Sequence, residues 1–303
     1  MSRADRLLAH SFAPITHSYS TRDTILYALG CGAGAEDLDL VYEPGLRALP
    51  SMAAVLAYPG NWYADPSIEL DPLLTVHASE RVELAGPLPV AGRITARPSI
   101  VAIHDKGPGR GAIVVSRREL REAGDGRLLA TVTQRAFCRG DGGVGEGSAV
   151  ATQPAPAPTP LPEGPPDRVV SLPTSTRAAA IYRLLGDDNP LHIDPDFARR
   201  AGFSGPILHG LASYGHIARA VLRDAPDRWV RVMDCRFMAP VLPGETLELD
   251  LWDLPDGRAF RARVGTRVVV DNGEIDFGPT SGSPISGRET LRAAAPLGER
   301  IAD

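Results

Sequence analysis

Between Tyr182 and Pro195 the chain reads Tyr182-Arg183-Leu184-Leu185-Gly186-Asp187-Asp188-Asn189-Pro190-Leu191-His192-Ile193-Asp194-Pro195, which places an acid, an amide and an imidazole within six residues. Pro190 cannot continue a helix and it biases Asn189 away from helical backbone, so the segment is expected to end a helix in a rigid turn. Polar groups held on such a turn can converge on a single water, taking a proton from it or handing one on. The same residue types also compose ordinary turns, and an isolated histidine is more often packed or on the surface than catalytic. On residue types alone both readings stay open.

A chain of 303 residues, 43% hydrophobic, is two average domains or one large one and can bury a sizeable core, which excludes disorder for its bulk. A net charge of -5 with 23% charged residues argues against coating nucleic acid or anionic membrane, although it leaves room for a local basic groove. No stretch approaches the roughly 18 to 20 apolar residues of a membrane span, and Met1 to His10 lacks the apolar core of a secretory signal. The expected location is therefore a reducing cytosol. Three cysteines (Cys31, Cys138, Cys235), odd in number and far apart, fit neither a disulfide framework nor a CxxC metal knuckle. The basic residues total 32 but include a single lysine, Lys106.

From Arg139 to Pro173 the composition shifts to Gly, Ala and Pro, with seven prolines between Pro154 and Pro166, which favours extended backbone without internal hydrogen bonds. The expected organisation is an N-terminal unit over 1–138, a linker over 139–172 and a C-terminal unit over 173–303. The two units repeat. Ser20-Thr21-Arg22, Tyr27 and Leu29 recur as Ser175-Thr176-Arg177, Tyr182 and Leu184, all at an offset of 155. Gly86 to Arg93 likewise resembles Met238 to Glu245.

In each copy Ser20 or Ser175 is placed to cap a short helix carrying the Tyr, and a more apolar helix follows. In the second copy Ile207, Leu211, Tyr214, Ala218 and Val221 form one buried stripe. Strands are expected over 74–83, 92–105, 111–119 and 127–139, and again over 230–238, 246–254, 258–270 and near Glu274. Asp105 to Gly111 and Pro255-Asp256-Gly257 have the chemistry of hairpin turns. The implied class is α+β: a long central helix wrapped by an antiparallel sheet, made twice.

The run Gly186-Asp187-Asp188-Asn189-Pro190-Leu191-His192, with Tyr182 upstream and Ile207-Leu208-His209-Gly210-Leu211 downstream, resembles the signature of the MaoC-like (R)-specific enoyl-CoA hydratases, or hydratase 2. The N-terminal copy resembles the non-catalytic half of the double hot dog hydratases, including those of peroxisomal multifunctional enzymes. The resemblance covers roughly Ser11 to Asp276. It implies a double hot dog fold and a hydro-lyase that adds water reversibly to trans-2-enoyl-CoA, giving (3R)-3-hydroxyacyl-CoA, in fatty-acid β-oxidation or sterol side-chain metabolism. Where the second copy has Gly186 to Pro190, the first has Gly30-Cys31-Gly32-Ala33-Gly34, and Ala53-Ala54 stands opposite His209-Gly210 after one insertion. The resemblance implies that one copy keeps the catalytic groups and that the other becomes housing for the acyl chain.

Carried over by the resemblance, Asp187 and His192 hold the water, one removing its proton and the other supplying the C2 proton. Asn189 orients them, and the Gly210 N–H, at a helix start, donates to the thioester oxygen. His77, Lys106, Phe237 and Pro190 are the implied substrate or coenzyme A contacts, and for Lys106 a phosphate or adenine contact suits its Gly-rich hairpin. The resemblance implies no cofactor and no metal; a coenzyme A thioester enters only as substrate. A homodimer in a bacterial cytosol is expected, without nucleic acid or a membrane span. Neither Gly-rich run has the GxGxxG or GxxxxGK[ST] context, and no GxSxG elbow is present. Three other readings remain: a dehydratase of acyl-carrier-protein substrates, an acyl-CoA thioesterase, and a non-catalytic acyl-thioester binding subunit.

Overall fold

Strand β2 (Thr75–Leu84) and strand β8 (Val230–Phe237) lie side by side, antiparallel, in the middle of one 11-stranded sheet. The computed structural model describes residues 2–148, 155 and 157–279. At the repeat offset of 155, Glu80 opposite Cys235 is its own counterpart, so the two copies are related by a local two-fold axis through that pair. Outward from the axis the order is β6 (Leu128–Cys138), β5 (Ala112–Glu122), β3 (Gly92–Ala96) and β1 (Ile15–Tyr19) on one side. On the other it is β11 (Arg267–Phe277), β10 (Gly257–Val264), β9 (Thr246–Leu254) and β7 (Arg168–Pro173). Only β4 (Ser99–Asp105), paired to β5, breaks the mirror order. Arg81 bonds Asp234 across the seam at 3.2 Å.

The double hot dog is therefore present, with differences that local chemistry explains. The expected strand over 92–105 breaks between β3 and β4, where Pro98 removes a ladder donor. The strand expected over 258–270 is instead a hairpin turning at Gly265-Thr266, and β11 continues through Glu274. The stretch expected to be a linker carries β7 at its end, laid against β9. Before it, Asp141 accepts from Arg3 at 2.7 Å, tying residues near 141 to the helix Arg3–Leu8. Linker residues 149–154 and 156, and positions 280–303 of the C-terminal unit, lie outside the described residues.

Ser20 caps the helix Thr21–Gly30 in a capping box with Asp23. Ser175 makes a weaker start: its hydroxyl accepts from the Arg177 N–H at 3.1 Å, and the helix Ala178–Tyr182 begins after it. The rings of Tyr27 and Tyr182 meet across the axis at 5.9 Å. The second copy's central helix, α1 of the site (Gly210–Asp224), buries every residue from Leu211 to Leu222; Ile207 lies just before it. The first copy departs most from expectation. In place of a long central helix it has a 3-10 turn, Pro50–Ala54, and the chain then runs irregularly through Tyr58. Cys31, Cys138 and Cys235 are buried and unbridged.

Candidate active site

The helix Ala178–Tyr182 tightens into the turn Arg183–Leu185 and stops at Gly186, whose φ is +111°. The chain leaves that stop as the loop that carries Asp187, Asn189 and His192. Asn189 caps the next 3-10 turn, Pro190–His192, its Oδ1 accepting from the Leu191 N–H at 3.1 Å, which leaves its NH2 uncommitted to the cap. The Asn189 N–H donates to Asp187 Oδ1 at 3.4 Å, and this fixes the acid relative to the turn.

His192 is 8% exposed and its Nδ1 lies 2.8 Å from the Ile207 carbonyl oxygen. A carbonyl only accepts, so Nδ1 carries the proton and Nε2 presents a lone pair. Burial holds the His192 pKa below the ordinary histidine range, against the opposing pull of the Asp187 charge. His209 stacks on His192 with ring centroids 3.7 Å apart and points Nε2 at the Asp187 carbonyl oxygen, 3.3 Å away. Burial and the neighbouring His192 push its pKa down to about 2, so it is neutral. Ligand atoms of Asp187, His192 and His209 lie within 4.8 Å of one another, a donor set that could also hold a metal ion. Sequence reasoning missed His209. Its signal was present: it directly precedes Gly210 at the helix N-cap.

Gly210 opens α1, where the first N–H groups have no partner within the helix and the positive end of its dipole lies. A Cβ there would sit 3.2 Å from the Phe237 ring, so glycine lets that ring close over the helix start. Phe237 in turn meets the His77 ring at 4.8 Å. His77 has both nitrogens engaged: Nε2 is 3.0 Å from Glu80 Oε2, and Nδ1 is 3.4 Å from the Gln134 amide nitrogen. It forms cavity wall, with its polar atoms turned into the protein.

These groups share a cavity of about 330 Å³ at the junction of the two repeats. Asp187, Asn189, His192, Gly210, Phe237 and His77 all line it. Two expected residues do not: Pro190 shapes the turn behind it, and Lys106 sits on the β4–β5 hairpin with its ammonium 4.4 Å from the Phe137 ring centroid. Phe137 alternates along β6 with the lining residues Gln134 and Ala136, which puts Lys106 on the other face of the strand. Arg139, exposed at the rim, is the cationic side chain that lines the cavity. Tyr58, Asn61 and Tyr63, from the irregular segment of the first repeat, were also missed.

Fold and site together define a duplicated hot dog with an Asp–His pair beside the amino end of the longest helix among the described residues. The second half matches the MaoC like domain over residues 158–273, and the first the MFE-2 hydratase 2 N-terminal domain over 17–140. The chain belongs to the MaoC-like hydratase 2 family. It is 37% identical to 3-hydroxyacyl-thioester dehydratase Y of Mycobacterium tuberculosis, across 87% of this chain and 94% of that protein. It is also 37% identical to the enoyl-CoA hydratase ChsH3 of the same organism, across 86% and 92%. Among solved structures, a MaoC-like dehydratase from Phytophthora capsici superposes with a TM-score of 0.79 at 30% identity, covering 91% of this chain and 99% of that one.

Proposed function

We propose that the chain is an (R)-specific enoyl-CoA hydratase, a hydro-lyase of fatty-acid metabolism that interconverts trans-2-enoyl-CoA and (3R)-3-hydroxyacyl-CoA. The observation that carries this is a neutral imidazole lone pair and a carboxylate facing one cavity beside the unpaired N–H of Gly210. A water between them donates one hydrogen to His192 Nε2 and the other to Asp187, while the Asn189 NH2 can donate to its oxygen. As that oxygen bonds to C3, the C2=C3 π pair moves toward C2 and the thioester oxygen. The charge there is met by the Gly210 N–H. The water's proton passes to Nε2, and the imidazolium, favoured by Asp187, returns it to C2 on the same face. Because His192 starts neutral, it is the base first and the acid second. No step draws on a cofactor or metal.

Arg139 at the rim, with Lys106 on the nearby hairpin, supplies positive charge for the coenzyme A phosphates. A homodimer in a bacterial cytosol is the working form; the family resemblance supports the dimer, and among the described residues no helix is long and apolar enough to cross a membrane. Light scattering on the purified chain tests the dimer.

Purified protein mixed with crotonyl-CoA is expected to remove the conjugated enoyl absorbance and yield the (3R) product on chiral analysis, with no free thiol released. Thiol release would indicate a thioesterase. Reaction with carrier-protein thioesters alone would replace coenzyme A as the carrier.

A further inference from the structure

We propose that Tyr58, braced by Arg118, is the end wall of the acyl-chain cavity and limits the enzyme to short and medium-chain trans-2-enoyl thioesters. The inference rests on the hydratase reading of the site. Arg118, on β5, is 5% exposed and reaches into the space that a continued helix would fill in the first repeat. Its guanidinium donates to the carbonyl oxygens of Ala53 and Ala54, the last residues of the 3-10 turn. Those carbonyls need a partner because the helix stops there. The same guanidinium lies 5.7 Å from the centroid of the Tyr58 ring, which faces the catalytic cavity.

Two further observations make the pair a wall. Ala57, fully buried and immediately before Tyr58, has φ +47°, a left-handed conformation unusual for a residue with a Cβ, and this redirects the chain toward the cavity. Arg118 shares the buried face of β5 with Ser116 and Leu120, so the sheet itself stands behind the Tyr58 ring. At ~30 Å³ for each non-hydrogen atom, a 330 Å³ cavity holds about eleven such atoms. The thioester group with C2 and C3 takes about five of these, so a chain of about eight or nine carbons fills it. A longer chain must displace the Tyr58 ring.

The test is kcat/KM of the whole chain on crotonyl-, trans-2-octenoyl- and trans-2-hexadecenoyl-CoA. The natural protein is expected to lose about tenfold or more between octenoyl and hexadecenoyl substrates. Tyr58→Ala raises the hexadecenoyl-to-crotonyl ratio by about tenfold, and Tyr58→Trp lowers the octenoyl-to-crotonyl ratio. Tyr58→Phe keeps the ring and leaves both ratios as they were. An unchanged hexadecenoyl ratio in Tyr58→Ala overturns the wall and leaves the hydratase reading standing. If Tyr58→Ala does not fold, an unchanged octenoyl ratio in Tyr58→Trp does the same. A natural protein inert toward all three substrates overturns both.

Discussion

The loops after Tyr27 and Tyr182 begin at equivalent points and become different objects. With the one-residue insertion that sets Gly30 opposite Gly186, Cys31 stands where the second repeat has Asp187 and Glu36 where it has His192, each followed by a residue, Gly32 and Asp37, that shapes the first loop. Asp37 is 2% exposed and spent on structure, accepting from the Gly34 N–H at 3.0 Å and from Arg219 at 2.8 Å. Gly32 has φ +80°, and a Cβ on it would come within 2.7 Å of His216 Nε2. Both His216 and Arg219 project from α1, so an uninterrupted helix in the second repeat fills the space over the first repeat's loop. Across the axis the positions matching Tyr214, Ile217 and Arg219 are Tyr58, Asn61 and Tyr63, which line the cavity. Losing a helix in one repeat thus opens room beside the loop of the other. The cavity is built from both repeats, although Asp187 and His192 come from only one.

The sharpest contrast comes from mutating the two loops in parallel. Asp187→Ala or His192→Ala is expected to lower turnover of crotonyl-CoA by about 10³ to 10⁴-fold, with unfolding curves unmoved. Rates within tenfold of normal would make both loops structural and erase the distinction. Asp37→Ala should reverse the pattern. It strands Arg219, 6% exposed, without its ion pair, at a cost of about 3 to 5 kcal/mol measured by urea unfolding. A change under about 1 kcal/mol would show that the first loop is not held by this bridge.

Gly210→Pro probes the helix start. Proline suits the first helical position, removes the N–H and adds a Cβ against Phe237, and a fall of about 10² to 10³-fold in kcat is expected. Gly210→Ala, which meets Phe237 but keeps the N–H, separates crowding from the lost donor.

The smallest effect is acid sensitivity. His216, pushed to about 4, and His209, pushed to about 2, have folded pKa values below their unfolded ones. Below the unfolded histidine value the unfolded chain binds more protons, so stability is full above about pH 6.5 and declines as pH falls. Each contributes about 1.4 kcal/mol per pH unit in that window. His216→Gln should flatten the urea midpoint between pH 6 and pH 4 by that slope. The kcat/KM profile should lose its acid limb only below the ordinary histidine range, because His192 must be neutral to accept the water's proton.

Much of this was legible in the residues. The repeat offset found the two-fold relation, and the spacing of Asp187, Asn189 and His192 survived intact because one short, proline-stiffened turn carries all three. The missing helix was not read, although Pro50 and Pro59-Gly60 leave only eight residues between them for it. The hairpin at Gly265 was likewise absorbed into a long run of Arg and Val. That Arg139 and not Lys106 lines the cavity has a different cause: which face of a strand meets the cavity depends on register, and composition does not carry register.

The seam between β2 and β8 bears on how such a protein can evolve. Two hot dogs joined only by association would carry identical loops, and any change would strike both. Here a single sheet runs through the join and a tether keeps each half opposite its partner at high effective concentration. One half is then free to change its loop without changing the other's. The irregular backbone after Ala54 is such a change, and the cavity beside Asp187 and His192 occupies the room it leaves.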